Sequence, residues 1–146
     1  MISVQIDTLF DTPQKARMSA ADYIAAPESA HKSDLIEGVW VMASPASSEH
    51  TDLQAFLLTT FRIFVHSQRL GIVRGEFTAY KLNEDNVYQP DVSFLSQERM
   101  GLIGEVRTDG APDLAVEIIS PSSRRYDLVE KRINYARFGV REYWII

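Results

Sequence analysis

The chain has 146 residues, enough for one domain with an ordinary core, and its 45% apolar and 24% charged content is that of a globular rather than a disordered protein. It contains no cysteine, which excludes a disulfide framework, a thiolate nucleophile and a Cys-ligated zinc site. The net charge of −5, from 20 acids against 15 Lys and Arg, weighs against avid non-specific binding to phosphates and leaves that task to a local basic patch.

Residues 1–17 are weakly patterned and read as an N-terminal arm; residues 18–146 read as the domain. No apolar run approaches the roughly 20 residues of a membrane span, and the N-terminus lacks the basic-then-apolar order of a secretory signal. The expectation is a cytoplasmic protein that does not engage the membrane. Ser19 and Asp22 have capping-box spacing, so a short helix over 19–26 is predicted, stopped by Pro27. Residues 34–43 read as two strands about a turn at Glu37-Gly38. Ser44-Pro45 breaks that pattern, and Ser47 or Ser48 caps a helix running to about Leu70. On it Leu53, Phe56, Leu57, Thr60, Phe61, Phe64 and Val65 recur at three- and four-residue steps, as one apolar face requires, with Gly71 as the stop.

Residues 72–82 suggest a strand bent near Gly75, and Asn83–Asn86 is turn chemistry. Residues 87–96, VYQPDVSFLS, read as one strand with Pro90 at an edge or bulge, because proline has no N–H for a ladder. Residues 97–112 read as a surface loop with one helical turn. The run 113–119, DLAVEII, has the continuous apolar character of a strand buried on both faces, interrupted only by Glu117. A helix from about Tyr126 to Phe138 follows, with Asp127 and Glu130 at capping-box spacing and Gly139 as its end. Residues 142–146, EYWII, open a further strand.

Two carboxylates stand out. Burying Glu117 in such a strand is costly unless it is paired, hydrogen-bonded or bound to a cation. Asp91 follows a proline within a strand. Two carboxylates on adjacent strands form a hard oxygen site suited to Mg²⁺ or Mn²⁺. A solvated or Arg-paired Glu117 and a turn-capping Asp91 are the alternatives. Lys131 shares a helix face with Asp127 and Tyr135, which admits either a site cation or a solvated i,i+4 pair with Asp127. Asp127 itself suits a cap better than a ligand. Glu37 reads equally as a ligand or a turn residue, and His50, in the first turn of the long helix, as an exposed side chain. Arg124 and Arg125 make a small basic patch that suits a phosphodiester or an ordinary solvated helix end.

The segments LIEGVWVMASPASSEH, YQPDVSFL and GAPDLAVEIISPSSRRYDLVEKRINYARFGVREYWII resemble the Uma-two family of restriction-endonuclease-like proteins, of the PD-(D/E)XK nuclease superfamily, over about residues 18–146. The resemblance implies an α/β, restriction-endonuclease-like core: a mixed β-sheet flanked by helices. It implies Asp91 and Glu117 as metal ligands, the Ile118 carbonyl as a backbone ligand, and Glu37 as an added carboxylate. The superfamily lysine, two residues after the second acid, is here replaced by Ile119, and the resemblance assigns that role to Lys131. It also implies sequence continuing past the YWII strand, so the expectation is a core lacking its C-terminal strands, with an edge open to a homodimer partner. The expected function is a Mg²⁺-dependent endonuclease acting on DNA, with Arg124 and Arg125 on backbone phosphates. The alternative is an inactive member of the fold serving as a binding or structural module.

Overall fold

A computed structural model describes residues 16–27 and 31–146. The expected arm lies almost entirely outside the described residues. Helix α1, Ala20–Ala25, starts where its cap allows: the Ser19 hydroxyl accepts the Asp22 amide at 3.1 Å and donates to the Asp22 carboxylate at 2.7 Å. Strands β1 (Ser33–Ile36) and β2 (Val39–Met42) form an antiparallel hairpin. Its turn residues Glu37 and Gly38 both have positive φ, 49° and 76°, as a primed two-residue turn requires to match strand twist.

Helix α2, Ser48–Ser67, is capped by Ser47, which accepts the His50 amide at 3.1 Å. Leu57 and Val65 are buried and Leu53, Leu58 and Phe61 pack half-buried beside them, but Phe56 and Phe64 are 64% and 59% exposed. The apolar periodicity thus misplaced the buried stripe. The reason is Gln54, which lies at its centre because the side-chain amide donates to the Asp91 carbonyl at 3.0 Å. A polar residue so satisfied is buried at little cost, and the helix turns Phe56 outward to put it there. Nor does Gly71 stop the helix. Arg69, at φ 52°, makes the left-handed turn, and Gly71 opens strand β3, Gly71–Gly75. A Cβ at Gly71 would lie 2.0 Å from the Leu95 carbonyl oxygen, so the sheet itself demands glycine there.

The run Val87–Ser96 is not one strand. Strand β4 (Tyr80–Lys81) pairs with β5 (Val87–Tyr88) in one sheet, whereas β6 (Val92–Ser96) belongs to another. Gln89, Pro90 and Asp91 carry the chain between them. A proline cannot continue a ladder, and here it marks the crossing. Residues 97–112, expected as a loop with one helical turn, contain a 3-10 segment, Gln97–Leu102, and also a short strand not expected there, β7, Thr108–Asp109, parallel to β4. Strand β8, Leu114–Glu117, lies between antiparallel β6 and parallel β9 (Glu142–Ile145). Its near-continuous apolar sequence follows from that interior position.

The two mixed sheets therefore run β2-β1-β5-β4-β7 and β3-β6-β8-β9. One core cluster joins α2 to the second sheet through Leu57, Val65, Val73, Val92, Val116 and Ile118. A second joins the sheets to the last helix through Ile36, Tyr88, Ala115 and Tyr135. That helix runs as π-helical turns over Tyr126–Lys131 and then α3, Arg132–Arg137, and ends at Gly139 with φ 84°. Helical backbone already begins at Arg124, so Asp127 is interior to the helix and not its cap.

Candidate active site

Strand register brings the two acids together. Beyond the last β6–β8 pair, Val92↔Val116, the next opposed positions are Asp91 and Glu117. Both are 2% exposed. Asp91 Oδ2 accepts the Ile118 amide at 2.7 Å, which ties it to the strand carrying Glu117. Glu117 divides its oxygens. Oε1 receives Lys131 Nζ at 2.9 Å and the Tyr135 hydroxyl at 3.2 Å, and Oε2 faces Lys32 Nζ at 3.4 Å. Lys32, just before β1, also lies 2.7 Å from Asp91 Oδ1, so its ammonium bridges the pair. His50 Nε2 is 3.4 Å from the same Asp91 oxygen.

Lys131 is 3% exposed and meets three carboxylates: Asp34 Oδ2 at 2.7 Å, Glu117 Oε1 at 2.9 Å and Asp127 Oδ1 at 3.1 Å. Asp34 is placed by β1, and its other oxygen accepts the Gln89 amide at 2.7 Å. The cluster holds the carboxylates Asp34, Asp91, Glu117 and Asp127 against the ammonium groups of Lys32 and Lys131, an excess of two negative charges if all are ionised.

Electrostatics follow that geometry. Burial pushes the Glu117 carboxyl up to about 7, against the pull of Lys131 and Lys32. Burial acts upward on Asp91 too, but Lys32 and the Ile118 amide outweigh it and hold the group below the ordinary carboxylate value. For both lysines burial favours loss of the proton. The carboxylates outweigh it, Glu117 and Asp91 around Lys32 and Asp34, Glu117 and Asp127 around Lys131, so both stay above the usual lysine range. The acids, Lys32 and Lys131 line a groove of about 730 Å³ together with residues 44–47 and 120–123.

The structure brings Asp91, Glu117 and Lys131 into one cluster, with Ile118 adjoining through its amide. Glu37 is not in it. Its side chain is exposed at the hairpin turn and accepts Asn134 Nδ2 at 2.9 Å and Asn86 Nδ2 at 3.3 Å. The third acid from this hairpin is Asp34, because only the strand points its side chain inward. Arg124 and Arg125 are exposed outside the groove lining, and Arg125 faces Glu130 at 3.3 Å. His50, expected in solvent, is only 15% exposed in its side chain. Sequence reasoning missed Lys32, Asp34 and Gln54. Asp34 carried a signal, as an acid flanking the apolar pair Leu35-Ile36; Lys32 and Gln54 carried none.

A family model described as Uma2, "Putative restriction endonuclease", matches residues 20–146. The chain belongs to the Uma2 family. Its fold is also that of a crystal structure of "a putative nuclease belonging to DUF820" from Anabaena variabilis ATCC 29413. The two share 22% sequence identity and a TM-score of 0.76, over 88% of this chain and 73% of that one. Comparison with curated proteins finds no match. The strands of the Uma2 chain thus form the restriction-endonuclease-like arrangement expected from its sequence. No helix among the described residues is long and apolar enough to cross a membrane.

The donor set suits a hard divalent cation. Among the described residues no three His, Cys, Asp or Glu side chains converge on one ion. Mg²⁺, however, is commonly held by one or two carboxylates with waters and substrate phosphate completing its shell. Asp91 and Glu117 supply two carboxylates, and the Lys32 ammonium lies between them.

Proposed function

We propose that this protein is a metal-dependent endonuclease that hydrolyses DNA phosphodiester bonds. The observation that carries the reading is the pairing of Asp91 with Glu117 around a cationic centre, inside a groove. Membership of a family described as "Putative restriction endonuclease" supports it, as does the likeness to an Anabaena protein described as "a putative nuclease". Asp91, Glu117 and the Ile118 carbonyl would hold Mg²⁺ or Mn²⁺. Such an ion, when bound, polarises the scissile phosphate and lowers the pKa of a bound water.

The chain's own groups divide the remaining work. Lys131, enclosed by three carboxylates, fixes the direction of Glu117 Oε1. Lys32 has a side chain 14% exposed against 4% for Lys131, so of the two lysines lining the groove it is the more accessible. We therefore assign to Lys32 the contact with phosphate charge, a task the sequence assigned to Lys131. Gln54 holds the Asp91 backbone, and the Asp91 carboxylate keeps its orientation through the Ile118 amide. Arg124 and Arg125, just past the Ser120–Ser123 wall, are assigned to backbone phosphates away from the cut.

The test is cleavage of plasmid and oligonucleotide DNA with Mg²⁺ or Mn²⁺ by the wild type, Asp91→Asn, Glu117→Gln and Lys32→Met. Each variant should lose at least roughly 100-fold, as when a group acting on developing charge is removed. Equal cleavage by all four preparations refutes the assignment. A folded wild type that never cleaves, yet binds DNA in the groove, supports the module reading instead.

A further inference from the structure

Each acid of the central pair has one oxygen already engaged by the protein. Asp91 Oδ2 accepts the Ile118 amide at 2.7 Å, and Glu117 Oε1 meets Lys131 Nζ at 2.9 Å and the Tyr135 hydroxyl at 3.2 Å. The other two oxygens, Asp91 Oδ1 and Glu117 Oε2, both face Lys32 Nζ, at 2.7 and 3.4 Å. His50 Nε2 is a further neighbour of Oδ1, at 3.4 Å. The Lys32 ammonium thus sits where both of the less engaged oxygens can be reached at once.

A small divalent cation bonds carboxylate oxygen at about 2.0–2.1 Å. An ion bonded to Oδ1 and Oε2 claims the space that Nζ holds. Charge excludes joint occupancy as firmly as volume does, because two cations at contact distance in a buried cluster repel with little solvent to screen them. The ammonium is therefore a competitor of such an ion and not its companion.

Lys32 can leave without disturbing the fold. Its carbonyl accepts the Ala43 amide at 2.9 Å, so the hairpin holds its backbone in place. Its side chain is a flexible four-carbon stem, 14% exposed and on the groove wall. Lys131, by contrast, is enclosed by three carboxylates. The groove gives a released ammonium a task. Asp34, Glu49, Glu76, Asp91, Glu117 and Asp127 line it, and among its described lining residues there is no arginine and no lysine besides Lys32 and Lys131. A phosphodiester entering the groove meets no mobile cation while the acids hold Lys32.

We propose that Lys32 is an exchangeable internal counter-ion. It neutralises Asp91 and Glu117 until a divalent cation takes its place, and the displaced ammonium then turns into the groove toward substrate phosphate. Metal loading therefore precedes productive binding of the phosphodiester. The inference rests on the nuclease reading above and adds an order of events to it.

The test is acetylation of the wild-type protein by acetic anhydride at constant pH, with and without saturating Mg²⁺, read at each lysine by peptide mass spectrometry. Lys32 should react at least roughly tenfold faster with the ion, as for a group released from a state that holds it in about nine molecules of ten. Lys131 should stay protected, which separates release from unfolding. Lys81, paired with Glu84 and outside the groove lining, should react at an unchanged rate. Titration of Mn²⁺, with the free ion followed by electron paramagnetic resonance, should give Lys32→Met a Kd at least roughly tenfold lower than wild type, since the competitor is gone. The labelling uses no variant, so it decides the matter even if Lys32→Met fails to fold. A Lys32 rate that stays level or falls while the ion binds overturns the inference, as does a folded Lys32→Met that binds Mn²⁺ no more tightly than wild type. If Asp91→Asn abolishes Mn²⁺ binding and Lys32 stays protected in the loaded wild type, only the exchange fails. If neither wild type nor Lys32→Met binds Mn²⁺, the metal-dependent nuclease reading fails with it.

Discussion

Replacing Lys131 by methionine removes the ammonium from among Asp34, Glu117 and Asp127 while nearly conserving side-chain volume. The three contacts, at 2.7, 2.9 and 3.1 Å, are all shielded, with Lys131 only 3% exposed. Removing one partner of a buried ion pair costs about 3–5 kcal/mol, because the other charge is left uncompensated. Here three are left, and protonation of one limits the cost, so about 4 kcal/mol is expected. A domain of this size has on the order of 5–15 kcal/mol of stability, so the variant should fold but melt roughly 10 °C lower. Lys32→Met should behave differently. Lys32 has a more exposed side chain and makes one close contact, at 2.7 Å, and one at 3.4 Å, and Asp91 keeps the Ile118 amide when it is removed, so about 2 kcal/mol is expected. Urea unfolding followed by circular dichroism measures both, and Asp127→Asn added to Lys131→Met should recover about 1 kcal/mol by removing a stranded charge. Equal stability of Lys131→Met and wild type would refute the idea that this lysine is the buried counter-ion of the cluster. A Lys32 variant as unstable as Lys131→Met would refute the division of labour between them.

Gly71→Ala should unfold the second sheet or cost more than about 3 kcal/mol, since the new Cβ meets a carbonyl oxygen at 2.0 Å; thermal melting decides it. On α2, Phe56→Lys should change stability by less than about 0.5 kcal/mol and Leu57→Ala by about 2–4 kcal/mol, given 64% and 9% exposure; equal effects in denaturant melts would mean the helix is rotated from the orientation described. Mn²⁺ at about 100 times its Kd should raise wild-type stability by about 2.7 kcal/mol, and Asp91→Asn or Glu117→Gln should abolish the rise in melting temperature.

Much of this fold was legible because local chemistry and global position agree. The Glu37-Gly38 turn, the Ser19 and Ser47 caps and the apolar β8 each carry a signal that needs no tertiary information. The errors arise where a long-range contact decides. Gln54 is buried because a backbone carbonyl 37 positions away accepts its amide, and no periodicity anticipates that. The run Val87–Ser96 divides between two sheets, and Pro90 recorded the interruption without its geometry. The site was half legible. Asp91 and Glu117 stood out by their setting as candidates, but the Lys32 ammonium beside them did not. Lys131 stands at four-residue steps from Asp127 and Tyr135 and attracts notice, whereas Lys32 precedes a strand in an unpatterned stretch and reaches the acids only through the fold. Glu37 drew attention away from Asp34 because a turn acid looks available, while strand alternation determines which carboxylate points inward.

The crossing at Gln89–Asp91 ties stiffness to charge. The same short stretch of backbone links both β-layers, answers to Asp34 through an amide on one side, and delivers Asp91 to Glu117 on the other. Anything that changes the local ionic balance therefore pulls on the joint between the layers. Slower amide exchange at Gln89 and Val92 after that balance is restored would record tightening of the joint without any ordered substrate.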